Sequence, residues 1–200
     1  MKELVMATNN AHKLEEVRQI LGTSYIIKGL NDIGCTKDIP ETADTLEGNA
    51  LQKAKYVHEH FGVDCFADDT GLEVEALEGA PGVYTARFGA MNGYGESHDA
   101  NANIHCLLDK LKGAETRRAR FRTAIALIKD GKENLFEGIV EGNILTRPVG
   151  EGGFGYDPVF APLEANGLAF AQMSAEAKNA ISHRGRATKK MVDYLTLTKE

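Results

Sequence analysis

The segment FADDTGLEVEALEGAPG, residues 66–82, begins as an apolar strand and then places two adjacent carboxylates, Asp68 and Asp69, before a hydroxyl and a glycine. Adjacent like charges repel unless a cation or solvent screens them. A carboxylate pair where a strand ends is well placed to hold Mg²⁺, which takes oxygen ligands and shares them with phosphates and water. The alternative is a simple turn, because Asp, Thr and Gly are all turn formers.

Strand and helix patterns alternate on both sides of this segment. The apolar spacing predicts strands at 3–7, 25–30 and 63–68, and helices at 11–22, 49–62, 101–113 and 188–197. A β-hairpin is expected in 119–145, with its turn at Asp130 and Gly131. The sequence therefore predicts an α/β fold with a mixed sheet, a βα part and a hairpin-rich part forming two lobes, and a ligand cleft between them.

Composition narrows the classes of function. With a net charge of −6, the chain lacks the basic surface that binding to a nucleic acid polymer needs. The apolar part of MKELVMATNN is too short for a signal peptide, and no apolar run suits a membrane helix, so a cytoplasmic protein without a membrane partner is expected. The three cysteines are scattered and are predicted to be buried thiols.

Two further polar segments are candidate binding sites. TNNAHK, residues 8–13, joins a strand to a helix, and a helix N-terminus with short polar side chains and Lys13 suits a phosphate; the alternative is a simple helix cap. GEGGFGYDP, residues 150–158, has four glycines that let a ligand approach, while Phe154 and Tyr156 offer faces for a purine; the alternative is a flexible hairpin end.

KNAISHRGRA, residues 178–187, is the third such segment, where His183 and Arg184 are donors suited to a carbonyl oxygen or a phosphate. A single histidine is more often an ordinary surface or core residue, so this segment is weak by itself. Four segments together are specific: ATNNAHKLEEV, FADDTGLEVEALEGAPGVYTARF, GGFGYDPVF and AISHRGRA resemble, in order and spacing, the signature segments of the inosine triphosphate pyrophosphatase (Ham1-like) family.

The resemblance runs from about residue 3 to about residue 195 and implies a specific activity. Members of this family hydrolyse ITP, dITP and XTP to the monophosphate and pyrophosphate with Mg²⁺, which cleanses the nucleotide pool. They are usually homodimers with an elongated α/β fold split by a central cleft. The resemblance thus implies, for residues 1–200, a single domain of this type, an elongated mixed β-sheet flanked by helices, with two lobes and a central substrate cleft.

The resemblance also implies roles for individual residues. Asp69 would be the catalytic carboxylate and a metal ligand, with Asp68 beside it. The residues expected to bind substrate are Thr8, Asn9, Asn10, Lys13, Lys53, Thr70, Phe154, Gly155, Tyr156, Asp157, Lys178, His183 and Arg184. A further metal ligand is expected before the second helix, where the sequence favours Glu41 and leaves Glu47 open.

Two other functions are left open. One is a phosphatase or pyrophosphatase of similar fold that acts on other nucleotides, such as modified pyrimidine triphosphates; the SHRGRA segment, which resembles the purine-specific family, argues against it. The other is a regulatory protein that binds a nucleotide without turnover, for which a carboxylate at position 69 is not expected.

Overall fold

The computed structural model describes residues 2–197. Its strands are β1 (Lys2–Met6), β2 (Tyr25–Lys28), β3 (Cys65–Val74), β4 (Pro81–Gly82), β5 (Arg118–Lys129), β6 (Lys132–Ile144) and β7 (Phe160–Pro162). Its α-helices are α1 (Ala11–Leu21), α2 (Leu46–Phe61), α3 (Phe88–Met91), α4 (Ala100–Lys110), α5 (Ala175–Ile181) and α6 (His183–Leu197). None of the helices in this range is long and apolar enough to cross a membrane.

The strands form a mixed sheet in the order β2-β1-β3-β5-β6-β7, and β4 pairs with β3. Strand β1 is parallel to both β2 and β3, whereas β4 is antiparallel to β3 and β7 is antiparallel to β6. The turn between β5 and β6 has positive φ at both Asp130 and Gly131, which is the geometry of a tight hairpin. The predicted mixed α/β sheet and the hairpin are confirmed.

Two compact units divide the chain. Unit 1 comprises the chain up to Asp69, Thr123–Gly138 and the chain from Ser182; unit 2 comprises Thr70–Arg122 and Ile139–Ile181. Strands β3, β5 and β6 each contribute residues to both units. The expectation of one domain with two lobes and a central cleft stays a prediction.

In unit 1 the sheet is buried on both faces. Leu4, Met6 and Phe66 belong to a cluster that also holds residues of α1 and α6, while the alternate positions Val5, Ala7 and Ala67 belong to a cluster with residues of α2. Alternation across a strand explains this division, since successive side chains point to opposite faces. Strand β5 is buried on both faces as well, because Ala124, Ala126 and Ile128 are buried together with Ile125 and Leu127.

Helix boundaries follow local signals. The side chain of Asn10 caps α1 and Gly22 ends it, with Val17 and Leu21 buried one turn apart. The side chain of Thr45 caps α2, which ends at Gly62 in a left-handed conformation. Unit 2 has its own core, formed by β3, β5, β6 and α4 residues with Tyr156, Phe160 and Phe170. The three cysteines are buried and free, as predicted.

Candidate active site

The two adjacent carboxylates lie inside β3, and the prediction of a strand that ends at residue 68 was wrong. The strand continues to Val74 because Leu72 and Glu73 pair with Gly82 and Pro81 of β4. Being successive residues of a strand, Asp68 and Asp69 point to opposite faces of the sheet. Their different partners follow from this: Asp68 meets α1 and α6, and Asp69 meets α2.

Asp68 is held by cations on both carboxylate oxygens. Lys13 Nζ of α1 lies 3.0 Å from Oδ1, and Arg184 Nε of α6 lies 2.9 Å from Oδ2. The guanidinium of Arg184 also donates to Glu16, one turn after Lys13 on α1. The side chains of Asp68 and Arg184 are 1% and 2% exposed, so the ion pair is almost entirely removed from water. A buried pair of this kind is stable only when its partners are complete.

On the other face, α2 brings a lysine to the strand. Lys53 Nζ donates to the backbone oxygen of Asp68 at 2.7 Å and to Glu41 Oε1 at 2.7 Å. Asn49, one turn before Lys53 on the buried face of α2, is a hydrogen-bond partner of Asp69, and its Oδ1 accepts from the backbone of Ala43 at 2.9 Å. A lysine, an amide and two carboxylates thus converge at this point of unit 1.

These charges shift the pKa values of the two carboxyls in opposite directions. Burial raises the pKa of Asp69 above its ordinary value, with Glu41 adding to the rise and Lys53 and Lys13 opposing it. For Asp68, burial acts in the same direction but Lys13, Arg184 and Lys53 outweigh it, so its pKa lies well below the usual range. Asp68 is therefore a permanent anion, whereas Asp69 is the carboxyl whose environment favours taking up a proton.

The pKa values of the two lysines, Lys13 and Lys53, also shift in opposite directions. Burial lowers the pKa of Lys13 below its ordinary value despite the attraction of Asp68. Burial also opposes the charge on Lys53, but the carboxylates of Asp69, Glu41 and Asp68 outweigh it and raise its pKa. Lys53 thus stays cationic among three acidic residues, as a group that contacts phosphate must.

The loop before α1 forms the helix cap, one of the two interpretations of TNNAHK. Asn10 Oδ1 accepts from the backbone N–H of Lys13 at 3.1 Å, so the residue is a helix cap. Thr8 Oγ1 accepts from the backbone of Asn10 at 3.1 Å, while Asn9 and Asn10 are exposed. Cap and phosphate site are compatible, because the cap uses one of several N–H groups at the helix end.

The glycine-rich segment is ordered by one carboxylate in unit 2. Asp157 Oδ2 accepts from Lys178 Nζ at 2.7 Å and from the backbone of Phe154 at 2.9 Å. The same ammonium lies 4.9 Å from the centre of the Phe154 ring. Gly153 has φ +69°, and a Cβ there would lie 2.9 Å from Asp157 Cγ, so only glycine fits. These contacts give the loop a defined conformation, which disfavours the alternative of a flexible hairpin end.

Tyr156 belongs to the core of unit 2. Its ring is buried in that cluster and its hydroxyl donates to the backbone oxygen of Thr85 at 2.7 Å. Phe154 is only half-buried, so the proposed stacking role is kept for Phe154. Gly155 lies between them with φ +59°, and Thr70 follows Asp69 on β3, half-buried.

The SHRGRA segment contains the start of α6, which lies at His183, five residues before the predicted start at Thr188. Ser182 Oγ accepts from the backbone of Gly185 at 3.0 Å, and His183 is the first residue of the helix. Gly185 lies in the first helical turn. His183 and Arg184 are both buried in unit 1.

The structure gathers the predicted site residues into two groups. Unit 1 brings together Lys13, Lys53, Asp68, Asp69, Glu41 and Arg184, and unit 2 brings together Phe154, Asp157 and Lys178. Glu41 joins the unit 1 group through its contact with Lys53, whereas Glu47 lies in the first turn of α2.

Sequence reasoning missed two members of the unit 1 group, Asn49 and Glu16. Asn49 precedes Lys53 by four residues and Glu16 follows Lys13 by three, so each shares a helix face with a predicted phosphate-binding lysine. That spacing is the signal that could have found them.

Comparisons with known proteins show the family of this chain. The sequence profile of the Ham1 family matches residues 4–194. A curated dITP/XTP pyrophosphatase of Porphyromonas gingivalis is 54% identical over 200 residues, all of both chains. The protein with the same name from Bacillus subtilis is 44% identical over 199 residues, 98% of each chain.

Solved structures show the same fold. The Ham1 protein of Staphylococcus aureus has a TM-score of 0.87 at 37% identity, covering 99% of this chain and 100% of its own. A HAM1 protein of Coxiella burnetii has a TM-score of 0.86 at 33% identity with the same coverage. The family match and these likenesses extend over nearly the whole sequence, and the chain belongs to the Ham1 family.

Proposed function

We propose that this protein hydrolyses the non-standard purine nucleoside triphosphates ITP, dITP and XTP to the nucleoside monophosphate and pyrophosphate, thereby cleansing the nucleotide pool. Relatives of 42–54% identity with the name dITP/XTP pyrophosphatase support the proposal. The observation that carries it is the position of Asp69, buried with a raised pKa beside two lysines that could hold a triphosphate.

The reaction assigns distinct tasks to these groups. Water attacks the α-phosphorus, the bond to the bridging oxygen breaks, and pyrophosphate leaves with additional negative charge. Lys13 and Lys53 are proposed to bind and stabilise that charge. Asp69 is proposed to orient the attacking water and accept its proton.

A magnesium ion fits the donors that face α2. Within residues 2–197 no three His, Cys, Asp or Glu side chains form a ready metal site. Mg²⁺ does not require one, since it is usually bound by one or two carboxylates together with water and substrate phosphates. We propose Asp69 and Glu41 as these carboxylates. When bound, the ion would neutralise charge on the phosphates and polarise the reacting phosphoryl group.

The base preference has a physical explanation. Donors that face the purine 6-position pair with the carbonyl of hypoxanthine or xanthine, whereas adenine presents an amino donor there and leaves protein donors unpaired. His183 and Arg184 are proposed as such donors, with the Phe154 ring as a stacking face. The roles of Thr8, Asn9, Asn10, Thr70, Gly155, Tyr156, Asp157 and Lys178 as substrate contacts are proposed on the family resemblance.

The decisive experiment is incubation of the pure protein with ITP, GTP, ATP and a modified pyrimidine triphosphate, with Mg²⁺ or with chelator. We expect IMP and pyrophosphate to form from ITP only with metal. Their formation should be far faster than product formation from the other three nucleotides. Faster pyrimidine turnover would favour the other enzyme class. Binding of ITP without any turnover would favour the regulatory protein.

We further propose that the protein is a cytoplasmic homodimer, as the family resemblance implies. Light scattering of the protein as it elutes from a size-exclusion column measures the mass of the assembly. A mass twice the chain mass of 21.7 kDa is expected, and a monomer at working concentration would contradict the proposal.

A further inference from the structure

We infer that Asp68 is the positioning residue of the site, which fixes three cations with its three oxygens and does not bind the metal. The three cations are Lys13, Lys53 and Arg184. The inference rests on the proposed function, in which these three side chains bind the substrate. It departs from the expectation that Asp68 is a metal ligand beside Asp69.

The geometry assigns one cation to each oxygen. Oδ1 meets Lys13 Nζ at 3.0 Å, Oδ2 meets Arg184 Nε at 2.9 Å, and the backbone oxygen meets Lys53 Nζ at 2.7 Å. The three partners come from α1, α6 and α2, which are far apart in the sequence. One residue therefore sets the positions of cations that three separate helices supply.

The same geometry disfavours a metal on the Asp68 side chain. Both carboxylate oxygens are within hydrogen-bond distance of a cation, and the side chain is 1% exposed. A divalent ion on either oxygen would lie next to Lys13 or Arg184 and be repelled by it. Strand alternation also turns Asp68 towards α1 and α6, away from the face of Asp69.

Positioning matters because these side chains are long. Free lysine and arginine side chains populate many rotamers, and ordering them when a ligand binds costs free energy. Asp68 orders Lys13 and Arg184 before a ligand binds, which removes this cost from the binding step. Loss of its charge should weaken ligand binding at both cations together.

The test compares Asp68→Asn with wild type at saturating Mg²⁺. An asparagine has the same size but places an N–H₂ donor against a cation, so we expect KM for ITP to rise about 10-fold to 100-fold, the range for lost hydrogen bonds to charged groups. The Mg²⁺ concentration for half-maximal activity should stay unchanged. A shift in that concentration with KM unchanged would identify Asp68 as a metal ligand and overturn the inference.

A second probe does not depend on turnover. Calorimetric titration with inorganic tripolyphosphate, without metal, measures the cations alone, and we expect affinity for the wild type that falls by a similar factor in Asp68→Asn. Equal affinity of the two proteins, or none for the wild type, would refute the positioning role. Wild type that binds tripolyphosphate but does not turn over ITP would instead refute the proposed function alone.

Two further variants keep the test decisive if Asp68→Asn does not fold. Asp68→Glu retains the charge but moves the carboxylate along by one methylene, so positioning predicts weaker tripolyphosphate binding, and unchanged binding would contradict it. Glu15→Gln, on the exposed face of α1, is the matched control and should leave KM and affinity unchanged. In a double-mutant cycle, Asp68→Asn and Lys13→Met together should weaken tripolyphosphate binding by less than the product of their separate factors, because Asp68 acts in part through Lys13.

Discussion

Gly138 on β6 should be a position where one methyl group disturbs the site from a distance. A Cβ at residue 138 would lie 2.5 Å from the backbone nitrogen of Ala187 on α6 and closer still to the backbone oxygen of His183. Ordinary contacts of a Cβ begin near 3.4 Å. The strand and the first turn of α6 must therefore separate by roughly 1 Å in Gly138→Ala.

That displacement has two measurable consequences. Overpacking typically costs about 1–3 kcal/mol, and for a chain of this length each kcal/mol lowers Tm by about 2–4 °C, so Tm should fall by about 2–12 °C. Arg184, in the same helical turn as His183, moves away from Asp68. Misplacement of a binding group by about 1 Å can cost about 100-fold in rate, so kcat/KM for ITP should fall by about 10-fold or more.

The assay is thermal unfolding by circular dichroism together with steady-state kinetics on ITP. Glu141→Ala is a control on the same strand, where the side chain is exposed, and it should leave both quantities nearly unchanged. Wild-type Tm and kcat/KM in Gly138→Ala would refute the close approach of β6 and α6. A lower Tm with unchanged kinetics would refute the link between this contact and the site.

The remaining predictions concern the site itself. Asp69→Asn should abolish turnover without lowering Tm, because a buried charge is removed; turnover near wild type would exclude Asp69 as essential. Lys13→Ala should raise KM for ITP through lost phosphate contact, and an unchanged KM would exclude the phosphate role of the loop before α1. Glu41→Gln should raise the Mg²⁺ concentration for half-maximal activity while Glu47→Gln does not; the reverse result would exchange their roles.

The local pattern of the sequence predicted those parts of the fold that depend on neighbouring residues. The spacing of Val17 and Leu21, the caps Asn10 and Gly22, and the turn at Asp130 predicted α1 and the β5-β6 hairpin correctly. Their signals come from residues a few positions apart, which side-chain periodicity and backbone preference can encode. The same patterns predicted the mixed α/β sheet.

Long-range contacts account for what the sequence did not show. Turn-forming residues after Asp68 suggested that β3 ends there, but pairing with β4 and the burial of Leu72 and Val74 carry the strand through. The partner of Asp68 on α6, Arg184, is 116 residues away. No local pattern indicates such a contact. It places Asp68 against α6, whereas Asp69, the next residue of the strand, points to the opposite face of the sheet.

Water is proposed to attack the α-phosphorus of a purine nucleoside triphosphate at Asp69. Hydrolysis of ITP in ¹⁸O-labelled water with Mg²⁺, followed by mass spectrometry of both products, distinguishes this phosphorus from the other two. We expect one ¹⁸O atom in IMP and none in pyrophosphate, and no reaction by Asp69→Asn. Label in pyrophosphate, or release of orthophosphate with IDP, would place the attack on another phosphorus and refute this mechanism.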